Sequence, residues 1–387
     1  MERADSVTVG GMHKKLLTSL LFFAAPVWCQ PQVLITGLQA PVKLVLTPRG
    51  NFLVSETSLM PNAGRVSFVS RAGVRRSLIE GLPSGTEVTL AGGSGPSAMA
   101  LRERTLYLCL GPGDSERPGA TPGTSQLNPR SASSPIFSSL LEIRFSADVD
   151  AITSTFRMTT DHQQVLNDGG EVELADAGAT ARISMLTRFP IAEPHPNAIY
   201  KFSNPWGLAL SEDGRNLYLT DASQNCLLRI DTPTGRWRRI ARFAPSQNPG
   251  PVGPPVIDAV PTNVRVYGSQ VLVSFLTGFP FVPGSARVLA VNAETGATEP
   301  FIFNLTSVTD VLWRSRPGAR PQFFVLEFSL NQSVNPAPPG RLLRFDSAEP
   351  QVAAAPLITP VNMVFDETTQ DLFILELRGQ ILQLHIN

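Results

Sequence analysis

Histidine and cysteine are scarce: four of the one and three of the other in 387 residues. Neither Cys-x-x-Cys nor His-Glu-x-x-His occurs, so the common zinc spacings are missing. His13 falls in an apolar leader, His162 and His195 in a long polar stretch, and His385 in the last apolar run. The polar stretch is the one place where a catalytic histidine could stand, and both of its histidines read as surface residues. The segment Gly92-Gly-Ser-Gly-Pro96 fails the Gly-x-Ser-x-Gly elbow, and no phosphate loop or dinucleotide fingerprint is present. No catalytic residue is assigned from the sequence.

Charge is sparse as well. Charged residues make up 17% of the chain, and 32 basic residues balance 32 acidic ones. A nucleic-acid binder usually carries a basic excess, so that class of partner is set aside. The one long apolar run is N-terminal. His13, Lys14 and Lys15 precede Leu16 to Ala25, with Pro26-Val-Trp-Cys-Gln30 following. A basic start and a run too short to cross a bilayer describe a secretory signal peptide over residues 1–29, cleaved before Gln30, with Met12 as an alternative start. The expected mature chain, 30–387, is a single exported domain, periplasmic or secreted, with no membrane span and read as a monomer. It keeps Cys109 and Cys226, both in or beside strand-like runs. Export permits a disulfide, but their setting reads as two buried thiols.

What the chain has in quantity is turn-formers, 34 prolines and 30 glycines. Around Asn204 to Phe243 they separate four short apolar strands, with Asp213-Gly214 at a tight turn. The pattern of Pro, apolar strand, turn and second apolar strand recurs, starting at residues 41, 96, 205, 261, 308 and 360, with Val308 standing for Pro in the fifth copy. A third apolar run follows each copy. The intervals of 55, 109, 56, 47 and 52 residues match one four-stranded propeller blade, or one blade plus an insertion for the longest. The last copy ends after its third strand, while Gln32-Val-Leu-Ile35 precedes the first copy without a partner. The expected fold is therefore all-β: a six-bladed propeller with four-stranded blades, closed by the N-terminal strand pairing into the last blade.

Three stretches interrupt the repeat. Residues 111–135 read as a long surface loop of the second blade. Residues 147–203 read as an insertion with short helices, projecting from one face of the ring. In the fourth blade, Phe275, Leu276, Phe279 and Phe281 either cover one mouth of the ring or line a ligand pocket.

These residues also resemble a known family. Ser203-Asn-Pro-Trp-Gly-Leu-Ala-Leu, with Leu217-Tyr-Leu-Thr-Asp-Ala, resembles the Asn-Pro-aromatic-Gly blade of the ScyD/ScyE family. That family is named for proteins of the gene cluster for scytonemin, a bacterial sunscreen pigment. Ala259-Val-Pro-Thr-Asn-Val, Leu276-Thr-Gly-Phe-Pro-Phe and Ala286-Arg-Val resemble its most distinctive stretch. The likeness runs from Val33 to the C-terminus. It departs at Phe275, where an acidic or polar residue is expected, and in the longer insertion. Blade motifs alone also fit NHL-type and gluconolactonase-like propellers. The resemblance implies an exported propeller and little chemistry, and it does not make the chain part of pigment synthesis.

Antiparallel pairing sets the start of each innermost strand near the end of the second. One rim of the channel should then carry two columns. The first is Lys43, Ala98, Gly207, Asn263, Asp310 and Asn362, and the second is Glu56, Leu110, Asp221, Phe275, Glu327 and Glu376. The polar members, Lys43, Glu56, Asp221, Asn263, Asp310, Glu327, Asn362 and Glu376, are the candidate binding residues. The arc over blades five, six and one offers hard oxygens suited to a divalent cation such as calcium, with Lys43 as counter-charge. The plainer reading is that each acid caps backbone N–H groups at a strand end. Two functions follow: a binding or scaffold module of the envelope, taking a small molecule or protein at the channel rim, or a metal-dependent, lactonase-like hydrolase at the channel mouth.

Overall fold

The computed structural model describes residues 30–86, 93–118, 125–190, 193–195, 198–316, 318–347 and 349–386. The leader therefore lies outside the described residues. Among those described, no helix is long and apolar enough to cross a membrane.

Six sheets of four or five strands form six blades. Blade 1 comprises Pro41–Leu46, Phe52–Glu56, Gly64–Val69 and Arg75–Leu82. Blade 2 comprises Pro96–Arg102, Thr105–Leu110, Ser139–Phe145 and Ala179–Arg188. Blade 3 runs through Pro205–Leu210, Asn216–Asp221, Cys226–Asp231 and Trp237–Arg242. Blade 4 uses Pro261–Tyr267, Gln270–Phe275, Ala286–Asn292 and Thr298–Leu305. Blade 5 uses Val308–Arg314, Gln322–Glu327, Gly340–Phe345 and Gln351–Leu357. Blade 6 takes Pro360–Asp366, Asp371–Glu376 and Gln380–His385 from the C-terminus and Gln32–Ile35 from the N-terminus. That closing strand pairs antiparallel with the last one, Gln32 opposite Gln383 and Ile35 opposite Ile381. The innermost strands touch in ring order, the sixth returning to the first.

Packing explains why second strands such as Thr105–Leu110 read as unbroken apolar runs. Each blade is covered on both faces, so side chains of either parity are buried. Leu106, Leu108 and Leu110 join the cluster shared with blade 1, while Tyr107 and Cys109 join the cluster shared with blade 3. The six hydrophobic clusters occupy the six gaps between consecutive blades. Cys109 and Cys226 face the same gap as free buried thiols.

Residues 147–203 do not simply project from one face. Ala179–Arg188 is the fourth strand of blade 2, and Glu171–Asp176 adds a fifth outside it. Phe156–Arg157 pairs in parallel with the outer strand of blade 1. Between them lies one helix, Thr160–Asn167, started by a capping box between Thr159 and His162. The stretch therefore finishes one blade and buttresses two, burying Phe156 and Leu166 in the first inter-blade cluster.

Candidate functional site

Every innermost strand has a register irregularity near its start, for example between Pro41 and Lys43, Val308 and Asp310, and Pro360 and Asn362. Such a bulge re-aims the side chains that follow it. It also sets the two columns one step apart. Lys43 lies opposite Ser55, whereas Glu56 lies opposite Pro41. The first column is on the innermost strands and the second is one strand further out.

In the first column the structure joins Asn263, Asp310 and Asn362. Asn263 Nδ2 donates to Asp310 Oδ1, and Asn362 Nδ2 donates to Asp310 Oδ2 at 2.7 Å. The Met363 N–H adds a bond at 2.9 Å to Oδ2. Arg265 pairs with the same carboxylate at 2.7 Å and donates to the Met363 carbonyl at 2.7 Å, reaching from blade 4 to blade 6. Asn362 Oδ1 accepts from the Leu44 N–H at 2.9 Å, which ties blade 6 to blade 1. Asp310 is fully buried, and charge-assisted bonds of this kind are what make a buried carboxylate tolerable.

Lys43 stands apart from that network. Its side chain is 4% exposed, and its Nζ is enclosed with no hydrogen-bond partner. The amine sits 5.5 Å from the centre of the Trp206 ring in blade 3. It passes blade 2, where the column residue is only Ala98. Trp206 Nε1 is likewise buried and unpartnered. Gly207, next in the column, has no room for a side chain: a Cβ there would stand 2.6 Å from the Thr262 carbonyl and 2.7 Å from the Asn263 Cα. Burial pushes the Lys43 pKa from 10.5 down to about 8, Asp310 partly restores it, and Arg265 lowers it further.

The acids of the second column are engaged one by one. Glu56 accepts from the Gln39 N–H and Ser67 Oγ, and pairs with Arg65 at 3.4 Å and Arg75 at 3.5 Å. Glu327 accepts from the Thr306 N–H at 2.7 Å and Arg341 Nε at 2.6 Å. Glu376 accepts from the Ile358 N–H at 2.5 Å and Arg378 Nε at 2.8 Å. Asp221 accepts from Ser203 Oγ at 2.5 Å and from the N–H groups of Asn204 at 3.0 Å and Gln224 at 2.9 Å. In all four, the acid holds the chain segment that enters its own blade's innermost strand. Among the described residues, no group of three or more His, Cys, Asp or Glu side chains is disposed to hold a metal ion.

The two blades without an acid replace it differently. Phe275 is fully buried and packs edge-on against Phe243, ring centres 4.8 Å apart, with the Arg287 guanidinium 4.9 Å above it. The capping role passes to Asn225 of blade 3, whose Oδ1 accepts from the Val260 N–H at 2.8 Å. Leu110 joins the core between blades 1 and 2. Phe279, on the blade 4 loop that follows Phe275, is half-exposed.

Several residues at this rim escape sequence reasoning. Arg265 carries no repeat signal, and Trp206 sits in a family-like motif but not in either column. Arg65 and Arg341 were findable, since a strict antiparallel register sets each opposite its glutamate. A belt of hydroxyl groups also joins neighbouring blades. Ser55 Oγ donates to the Ser97 carbonyl, Ser97 Oγ to Pro205, Thr220 Oγ1 to Thr262, Thr262 Oγ1 to Val308 and Thr309 Oγ1 to Pro360, at 2.7 to 3.0 Å.

No family model matches the chain, and no curated protein matches it in sequence. Solved structures do match in shape. The PQQ-bound aldose sugar dehydrogenase of Streptomyces coelicolor has 15% identity and a TM-score of 0.50, over 92% of this chain and 97% of its own. A gluconolactonase of Xanthomonas campestris has 11% identity and a TM-score of 0.44, over 92% and 87%. An auxiliary nutrient binding protein of Bacteroides thetaiotaomicron has 9% identity and a TM-score of 0.48, over 90% and 69%. At such identities the likeness extends to the fold and no further.

Proposed function

We propose that this chain is an exported propeller of the ScyD/ScyE type, a binding or scaffold module of the bacterial envelope that takes a small-molecule or protein partner at the channel rim. One observation carries the reading. Each rim acid already serves the fold, Glu56, Glu327, Glu376 and Asp310 with an arginine and Asp221 with four donors, while the Lys43 amine has no acceptor. An acid committed to an arginine and a strand entry is a poor cation ligand or general base, because releasing it would leave a buried charge unpaired. A buried donor without an acceptor instead suits the carbonyl or carboxylate of a partner.

The test is to assay purified mature protein for lactone hydrolysis with and without calcium, alongside calcium titration by calorimetry. The expected result is no turnover and no heat of binding. Calcium-dependent turnover that Glu327→Gln and Glu376→Gln remove would overturn the binding reading in favour of the metal-dependent hydrolase.

A further inference from the structure

Away from the axis, the second blade carries a cavity of about 280 Å³. Its walls come from three separate parts of the chain. The long loop between the second and third strands contributes Leu127, Pro135 and Phe137, the end of the fourth strand contributes Arg188, and the approach to blade 3 contributes Phe202. The floor is well packed, since Phe137, Ser138 and Phe202 are all buried. The loop is held in shape from within. Asn128 Nδ2 donates to the Asp114 carbonyl at 2.7 Å, and Ser133 Oγ to the Asp114 carboxylate at 3.0 Å. Gly113, at φ +56°, rests directly on the Phe137 ring, where a Cβ would come within 2.1 Å. Loops longer than a hairpin needs are where binding sites are commonly built, and the volume is near the lower end for small-molecule pockets.

Among the described residues that line this cavity, Arg188 is the only charged side chain. Arg188 uses only Nη2, donating to the Pro135 carbonyl at 2.9 Å, Asn167 Oδ1 at 2.7 Å and Met185 Sδ at 3.9 Å, all neutral acceptors. Its Nε is buried without a partner. Nearby Asp168 is already bonded to Gln164 and Asn167. By contrast, the rim arginines Arg65, Arg265, Arg341 and Arg378 all face acids. A half-buried guanidinium with unused donors, in a pocket walled by leucine, proline and phenylalanine, matches a carboxylate on an apolar body.

We propose that this cavity binds a small carboxylate, its charged end on Arg188 and its apolar body against Leu127, Phe137 and Phe202. The site shares no lining residue with the two rim columns, and Ser138 on its floor links it to Asp221 by donating to the Ser203 carbonyl at 2.8 Å. The test uses benzoate, phenylacetate and hexanoate, each beside its amide, with binding followed by ligand-observed NMR titration. The carboxylates are expected to bind at least tenfold more tightly than the matched amides. Arg188→Gln should erase that difference. Ala132→Trp, at an exposed lining position, should block binding without touching the fold. Equal binding of acids and amides, no binding of any probe, or unchanged binding in Ala132→Trp with native melting would each overturn the proposal.

Discussion

Lys43 brings a four-carbon stem and an amine into the packed axis, and only the stem is at home there. Its folded pKa, about 8, lies below the ordinary 10.5, so the fold disfavours the ammonium. The penalty is complete below pH 8, amounting to about 3 kcal/mol at ~1.4 kcal/mol per pH unit between the two values. It is relieved as pH rises from 8 towards 10.5, because the amine then loses its proton in the folded state first. Lys43→Met keeps the stem volume and removes the charge. The variant should be the more stable protein at pH 7, by up to about 3 kcal/mol in denaturant unfolding, with the gap closing towards pH 10. The buried thiols Cys109 and Cys226, held above their ordinary pKa by burial, ionise on unfolding in both proteins and cancel in the comparison. A gap that stays constant from pH 7 to pH 10 would mean that the amine is not desolvated.

At the scale of the element, the blade was legible and its joinery was not. Apolar runs, Asp-Gly turns and the roughly 50-residue period follow from local chemistry, and they located the first three strands of all six blades. The fourth strand of blade 2 was hidden in residues 147–203, because Ala179–Arg188 alternates polar and apolar residues and its tight turn, Ala177-Gly178, joins it to Glu171–Asp176 rather than to the third strand of the blade. The hydroxyl belt was hidden for another reason: serine and threonine in a strand are ordinary, and only the neighbouring blade shows what they bond. Thr262 illustrates the cost of losing one. Its Oγ1 lies 2.9 Å from both the Val308 carbonyl and Ser274 Oγ, all of them buried. Thr262→Val, nearly the same shape, should lower unfolding free energy by about 1–3 kcal/mol, since both partners lose a bond where water cannot replace it. Chemical denaturation would detect this, and an unchanged midpoint would show that the belt contributes nothing.

At the scale of the molecule, stability depends on the one seam where the chain ends meet. Blade 6 borrows Gln32–Ile35, and the wedge between blades 6 and 1 is locked by Phe52 on Phe373, ring centres 4.9 Å apart. Arg71 lies 4.4 Å from the Phe373 ring and pairs with Asp366 and Asp371. Removing residues 30–36 would bare the Gln380–His385 edge and uncover Ile35's neighbours in the last cluster. The truncated protein should melt well below the mature one, and equal melting temperatures would refute closure by this strand. Repetition, a spare strand before the first copy and a missing strand in the last are properties of the sequence alone, and they determined the propeller, its blade number and its closure, because period and alternation are local. Which acids are committed, which lysine is stranded and where a cavity opens were decided only in the tertiary structure. Arg265 reaches Asp310 across blades, Asn225 stands in for an acid at Phe275, and Arg188 meets Phe202 across a loop. The physical reason is that a side chain's partner is set by ring geometry, which joins residues tens of positions apart that no spacing rule connects.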